Sequence, residues 1–373
     1  MPHILIAPDS FKGSVAAVAA AEAIAAGWRT VRAGDDVRLI PMADGGEGTI
    51  AAFSLAVPGA SAMPVSVHGP DGSMVESAWL RLPPTPRHPQ GVGVVELAAT
   101  SGIELLERPA PFDAHTLGFG EAIAAALDAG VDRLLLGIGS SASTDGGSGA
   151  LVGLGVRVLD AHDLPVPLGN RGLAGARRID VSALRPIPSG GAVILGDVTN
   201  PLLGPTGAAA AFGAQKGAGA EDIVVLEANL GHWSALLASA GMPVRAAPDA
   251  GGAGAAGGTG FGLLAWGAAM QAGAGAIGDA LGLPAAIAAA DLVITGEGRF
   301  DDQSLAGKVP GHVLEVAATT ATPTALVAGS IAADPAGFVQ ALALEDLAGS
   351  RSAALGDPLR WLHEAGSRLA ATL

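Results

Sequence analysis

Short apolar runs recur along the chain, each ending in a cluster of glycine with acidic or hydroxyl side chains, and they alternate with longer alanine-rich stretches. Residues 4–8 read as a buried strand and 15–28 as a helix. A second strand, 37–41, leads into Met42-Ala43-Asp44-Gly45-Gly46-Glu47-Gly48-Thr49. A helix over 121–129 precedes a strand at 133–138, and 192–195, 292–295 and 324–327 read as further strands. From about residue 64 the texture changes. Residues 65–68 and 74–80 alternate around Gly69-Pro70-Asp71-Gly72, the pattern of a hairpin, and a proline-rich loop follows at 83–89. Strand–helix alternation predicts an α/β fold with a mostly parallel sheet covered by helices on both faces. The hairpin-rich middle predicts a second, mixed α/β domain inserted into the first. The division falls near residues 62 and 284, giving 1–61 plus 285–373 as one domain and 62–284 as the insert.

Composition narrows the possibilities. A length of 373 residues favours two domains over one. The positive mean hydropathy comes from alanine, and the longest uncharged stretch, 250–278, is too glycine-rich to span a membrane. The amino terminus opens straight into a strand without a secretory pattern, and there is no cysteine, so disulfides, thiolate chemistry and Cys-ligated zinc are excluded. These features predict a cytoplasmic protein with no membrane partner. A net charge of −15 speaks against a nucleic-acid surface. In so acidic a chain the cations near loops are informative, and lysine occurs only at 12, 216 and 308, each beside glycine.

Five loops at strand ends hold most of the candidate chemistry, and a parallel sheet brings such loops to one edge. The first, Asp9-Ser10-Phe11-Lys12-Gly13-Ser14, lies where a strand hands over to a helix, whose free N–H groups suit an anion. Asp44 and Glu47 flank two glycines; one carboxylate can hold Mg²⁺ or take a proton from a hydroxyl, or Asp44 can cap the following helix. Ser140, Ser141, Ser143, Thr144 and Asp145 offer a phosphate cradle or an ordinary cap cluster. Asp197 and Asn200, with Gln215 and Lys216 beyond, suit Mg²⁺ and polyphosphate, although Asp197 to Pro201 also reads as a simple turn and Lys216 as a solvated surface lysine. In the fifth loop, Glu297, Arg299, Asp301 and Asp302, followed by Lys308, read as anion and metal ligands or as a surface salt-bridge cluster. There is no P-loop, since Val309 follows Gly307-Lys308. The stretch Gly252-Ala253-Gly254-Ala255-Ala256-Gly257 matches a dinucleotide pattern but lacks a preceding buried strand, so an oxidoreductase rests on that segment alone.

Seven segments in order make the chain resemble the bacterial glycerate kinases of type I, which phosphorylate the 2-hydroxyl. They are the loops at 7–14, 42–49, 137–147, 197–202, 212–217 and 291–301, with Glu96-Leu97-Ala98 and Ser101-Gly102 between. The chain departs from the family pattern at Ser140-Ser141 in place of Gly-Ser, at Ala214 in place of Pro, and at Asp302-Gln303 in place of Ser-Gln. The resemblance implies ATP- and Mg²⁺-dependent phosphorylation of D-glycerate in a cleft between two α/β domains. One of these is a flavodoxin-like, doubly wound parallel-sheet domain built from both chain ends. In that setting Lys12 and Arg299 are expected to hold the carboxylate or the transferring phosphate, with Asp44 or Asp197 accepting the hydroxyl proton. Glu47, Glu297 and Asp301 are the expected Mg²⁺ groups. Asp9, Ser10, Ser140, Ser141, Thr144, Asp145, Asn200, Gln215, Lys216 and Lys308 are expected to line the substrate and phosphates. The alternatives are transfer to the 3-hydroxyl and a catalytically silent ligand-binding relative on the same scaffold.

Overall fold

The computed structural model describes residues 1–243, 246–305 and 307–373. They form thirteen strands: β1 (His3–Pro8), β2 (Asp36–Leu39), β3 (Ser61–His68), β4 (Met74–Leu82), β5 (Val92–Glu96), β6 (Arg133–Gly137), β7 (Arg157–Leu159), β8 (Arg178–Asp180), β9 (Ala192–Leu195), β10 (Ala269–Gln271), β11 (Leu292–Phe300), β12 (Thr324–Ile331) and β13 (Gln340–Ala343). Two compact units contain them. The first comprises Met1–Asp44, Ala51–Pro58 and Ala272–Leu373, and the second Gly45–Ile50 and Gly59–Gln271.

The first unit holds a five-stranded, all-parallel sheet in the order β13-β12-β11-β1-β2. Counted along this unit's strands that order is 2-1-3-4-5, the flavodoxin-like arrangement, which reverses direction between β1 and β11. β1 is apolar on both faces because helices cover both, and Ile4, Leu5, Ile6 and Ala7 are all buried. The sequence pattern ends β11 at Thr295, whereas the strand continues to Phe300. Beyond Gly296, which pairs with Pro8, it has only β12 as a neighbour, with Glu297 opposite Ala328 and Arg299 opposite Ser330. Pairing with β12 supplies hydrogen bonds that an isolated Gly-Glu-Gly-Arg segment lacks, so the expected loop is a strand.

The second unit's sheet runs β10-β9-β6-β5-β4-β3, parallel from β10 to β5 and antiparallel from β5 to β3. The predicted hairpin is present as β3 and β4, joined at His68 opposite Met74. β7 and β8 form a separate antiparallel pair. The glycine pattern at 252–257 runs into the helix Ala255–Trp266, and the described residues just before it, 246–254, make turns with no strand. Among the described residues no helix is long and apolar enough to cross a membrane.

In the first unit the helix Ala17–Val31 crosses the final helix, Pro358–Thr372, at glycines on both sides. A Cβ on Gly27 would lie 1.9 Å from the His363 carbonyl oxygen, and one on Gly366 would lie 2.1 Å from that of Ile24. Gly27→Ala gains helix propensity in isolation but forces backbone against backbone here. We expect it to lower unfolding free energy by about 2 kcal/mol in urea melts; an unchanged midpoint would show that the helices separate without cost.

Candidate functional site

The residue that shapes the loop after β1 is Phe11. Its ring is buried in the core beside Ile4, Ile6 and Val327, and its N–H and carbonyl both pair with Val15. The loop is thereby closed on itself. Asp9 is left buried, Ser10 half-buried and Lys12 exposed, and the helix begins only at Ala17. A side chain on Gly298 would press on the backbone of Phe11 and Lys12, at 3.1 Å from the Lys12 nitrogen, so the bare glycine lets this loop run across β11.

A cavity of about 290 Å³ opens where the β1 loop meets the end of β11, the topological switch point of this sheet. Asp9, Ser10, Lys12, Glu297, Arg299, Asp301 and Lys308 all line it. Asp9 is 6% exposed, and its Oδ1 accepts a hydrogen bond from the Ser10 N–H at 2.6 Å. Burial, reinforced by the neighbouring charge of Asp44, pushes its carboxyl from 3.8 up to about 7. Glu297 is 5% exposed, and burial raises its carboxyl also, against the opposing effects of Ser304 and Lys308. Its Oε1 is buried without a hydrogen-bond partner among the described residues. Lys12 Nζ lies 3.3 Å from Asp44 Oδ2, and that charge holds its ammonium above the ordinary range. Arg299 Nε lies 3.6 Å from Asp301 Oδ2. The cavity also takes in Ser330, Glu345 and Arg351, which sequence reasoning missed. None of these stands in a glycine-and-acid loop, and only the strand pairing and helix packing of the carboxyl-terminal segment bring them here.

The other candidate residues belong to the second unit. Asp145 is fully buried and accepts hydrogen bonds from the Thr116 N–H and hydroxyl, the Ser143 hydroxyl and the N–H groups of Gly147 and Gly149. Its lone pairs are spent on fixing the loop. Thr144, equally buried, donates to the Pro111 carbonyl. Lys216 lies in a short 3-10 turn, Ala214–Lys216, and is 2% exposed, so it is not a solvated surface lysine. Its Nζ donates to Ser141 Oγ at 2.6 Å and to the Ser143 carbonyl, and burial pushes its ammonium down to about 7. Ser140 is exposed with φ of 58°, a left-handed position that glycine adopts more readily than serine. Asn200 Nδ2 donates to the Thr206 carbonyl. Asp197, Gln215 and Glu47 are exposed. Glu96 caps the helix Thr49–Ala56: its two oxygens accept from the Gly48 and Ile50 N–H groups at its start.

Among the described residues no three acidic or imidazole side chains converge as a metal cage. Mg²⁺ in phosphoryl-transfer sites characteristically uses one or two carboxylates and completes its shell with phosphate oxygens and water. The unpartnered Glu297 Oε1, with Asp301 in the same cavity, fits that habit.

A flavodoxin-order sheet with a cation-rich cavity and buried carboxylates at its switch point defines an α/β enzyme built to handle anions. The Glycerate kinase family pattern matches residues 4–373, and the chain belongs to that family; it is a kinase acting on glycerate. It is 42% identical over 339 residues to the glycerate kinase of Bacillus subtilis strain 168, covering 89% of this chain and 86% of that protein. It is 40% identical over 339 residues to the glycerate 2-kinase of Escherichia coli K12, with the same coverage. The crystal structure of a putative glycerate kinase 2 from Salmonella typhimurium LT2 superposes with a TM-score of 0.84 at 38% identity, covering 100% of this chain and 98% of that one.

The buried Asp9 gives a pH signature. A carboxyl whose pKa rises on folding favours the fold while protonated, and loses that contribution as pH climbs from about 4 to about 7. Asp9→Asn cannot ionise, so its stability relative to the parent should grow across that window, by at most about 4 kcal/mol. Urea unfolding at pH 5 and pH 8 checks this; an equal difference at both pH values contradicts it.

Proposed function

We propose that this chain transfers the γ-phosphoryl group of ATP, with Mg²⁺, to the 2-hydroxyl of D-glycerate. The observation that carries the reading is the pairing of buried Asp9 and Glu297 with Lys12, Arg299 and Lys308 around one cavity. Phosphoryl transfer demands positioning and charge neutralisation more than covalent chemistry, and this cavity supplies cations in a chain of net charge −15. The 2-hydroxyl is favoured by likeness to the relative named glycerate 2-kinase.

In this reading Lys12 and Arg299 hold the glycerate carboxylate and the transferring phosphate. Asp44 keeps the Lys12 ammonium charged and aimed. Asp9 accepts the hydroxyl proton, a role that suits a carboxyl close to half-ionised at neutral pH. Glu297 and Asp301 would hold Mg²⁺, which would supply neutralisation of phosphate charge. In the second unit, Lys216 and Asp145 hold the loop from Ser140 to Thr144 in place.

Incubation with ATP, Mg²⁺ and D-glycerate, followed by phosphorus NMR, should give 2-phosphoglycerate. Formation of 3-phosphoglycerate would move the reaction to the other hydroxyl, and no phosphorylated product would remove the reading altogether. Lys12→Ala should lower kcat by about a hundredfold or more, as loss of one transition-state donor does, while the melting temperature stays near that of the parent because the side chain is exposed. Near-normal turnover in that variant would exclude Lys12 from the reaction.

A further inference from the structure

The second unit contains a cavity of its own, also of about 290 Å³, which shares no lining residue with the one at the switch point. It lies among the helix Ser148–Gly153, β7 and the segment 165–173. Val152, Val156, Val166 and Leu173 give it a mostly apolar lining. Its shape is fixed. Pro165 and Pro167 restrict the backbone on either side of Val166, and the Val166 N–H donates to the Val158 carbonyl at 3.0 Å, tying that segment to β7. A Cβ on Gly172 would lie 1.7 Å from the Pro167 carbonyl oxygen, so the short helix Asn170–Leu173 is already at closest approach. Among the described residues only two polar side chains line the space, Ser148 and Arg157. Ser148 is 5% exposed, and its hydroxyl makes no hydrogen bond among the described residues. Arg157 donates none either; its ion pair with Asp180 spans 3.8 Å, too long for a hydrogen bond and weak at an exposed side chain. Asp180 accepts instead from the Ser182 N–H, whereas nearby Arg178 is gripped through Nε and Nη2 by Asp163.

We propose that this cavity is a second ligand site, one that takes a small monocarboxylic acid with a compact apolar body. The carboxylate pairs with the Arg157 guanidinium, whose N–H fork suits it. The hydrocarbon packs against the valines and Leu173, and the Ser148 hydroxyl is available to a ligand oxygen. A preformed, largely apolar cavity with few polar groups is the ordinary make-up of a small-molecule site, and this volume stands at the lower end of their range. One lining cation matches a single negative charge. A nucleotide or a sugar phosphate would bring more charge than Arg157 neutralises and would set polar groups against valine, and a neutral hydrocarbon would leave Arg157 unused. The assignment does not depend on the phosphoryl-transfer reading.

Ligand-observed NMR titration with isocaproate, with isohexanol of the same carbon skeleton, and with acetate tests this in the parent, Arg157→Gln and Val166→Phe. The parent should bind isocaproate about tenfold more tightly than isohexanol, the difference that a hydrogen bond to a charged group makes. Acetate, with no hydrocarbon for the apolar lining, should bind more weakly than either. Arg157 is exposed, so Arg157→Gln leaves the core intact; it should bring isocaproate to within about twofold of isohexanol and leave isohexanol unchanged. Val166→Phe places a ring in the cavity and should abolish binding of both. Circular dichroism verifies each fold, and the Arg157→Gln comparison decides the matter if Val166→Phe does not fold. Saturating D-glycerate should displace neither probe. Equal binding of acid and alcohol by the parent, unchanged isocaproate affinity in Arg157→Gln, displacement by D-glycerate, or no binding of any probe would overturn the proposal.

Discussion

Two carboxylates, Asp9 just past the end of β1 and Glu297 within the adjoining parallel strand β11, are buried side by side, and the first unit is organised around the cost of keeping them there. Withdrawing a carboxylate from water is expensive unless the charge is paired or given up. Here neither is fully compensated by protein groups. Asp9 has one backbone N–H close by, and one oxygen of Glu297 has no partner among the described residues. The pairing of Pro8 with Gly296 and the Asp9 N–H bond to the Gly296 carbonyl hold these groups side by side in spite of that cost. Such uncompensated burial marks a place where a ligand or cation completes the coordination. The cations arranged around it ease the carboxylates, and in the proposed reaction they also neutralise phosphate.

The second unit solves a similar problem in the opposite way. Asp145 is as deeply buried as Asp9, yet five donors surround it. Lys216 is buried among oxygens of the same loop. A satisfied buried network of this kind rigidifies its surroundings. The hydroxyl-rich loop after β6 is consequently held from inside, and only Ser140, in its left-handed conformation, faces outward. Within one chain, then, incomplete satisfaction goes with the switch-point cavity and complete satisfaction with a fixed scaffold.

Much of the fold is legible in the residues because the central strands are continuous apolar runs. β9 ends where its run ends, and the hairpin of β3 and β4 follows from alternation around Gly69 to Gly72. The strand-end loop that holds Asp9 and Lys12 is legible for the same reason, since a parallel sheet gathers its strand ends. The reach of β11 past Thr295 is not, because Gly-Glu-Gly-Arg has weak strand preference and is held extended by β12. The burial of Lys216 is equally hidden, for its partners lie more than seventy residues earlier in the chain.

What the sequence determined by itself was therefore local: which segments are apolar enough to be strands, which loops carry charge, and, through seven ordered motifs, the family. Tertiary structure decided which charges are buried and which share a cavity. Desolvation and pairing depend on neighbours distant along the chain, so Asp9 and Asp145, both acidic residues in strand-end loops, end in opposite electrostatic circumstances. Arg351 and Leu355, in a segment with no motif, come to line the cavity only through the packing of the last helices against β12.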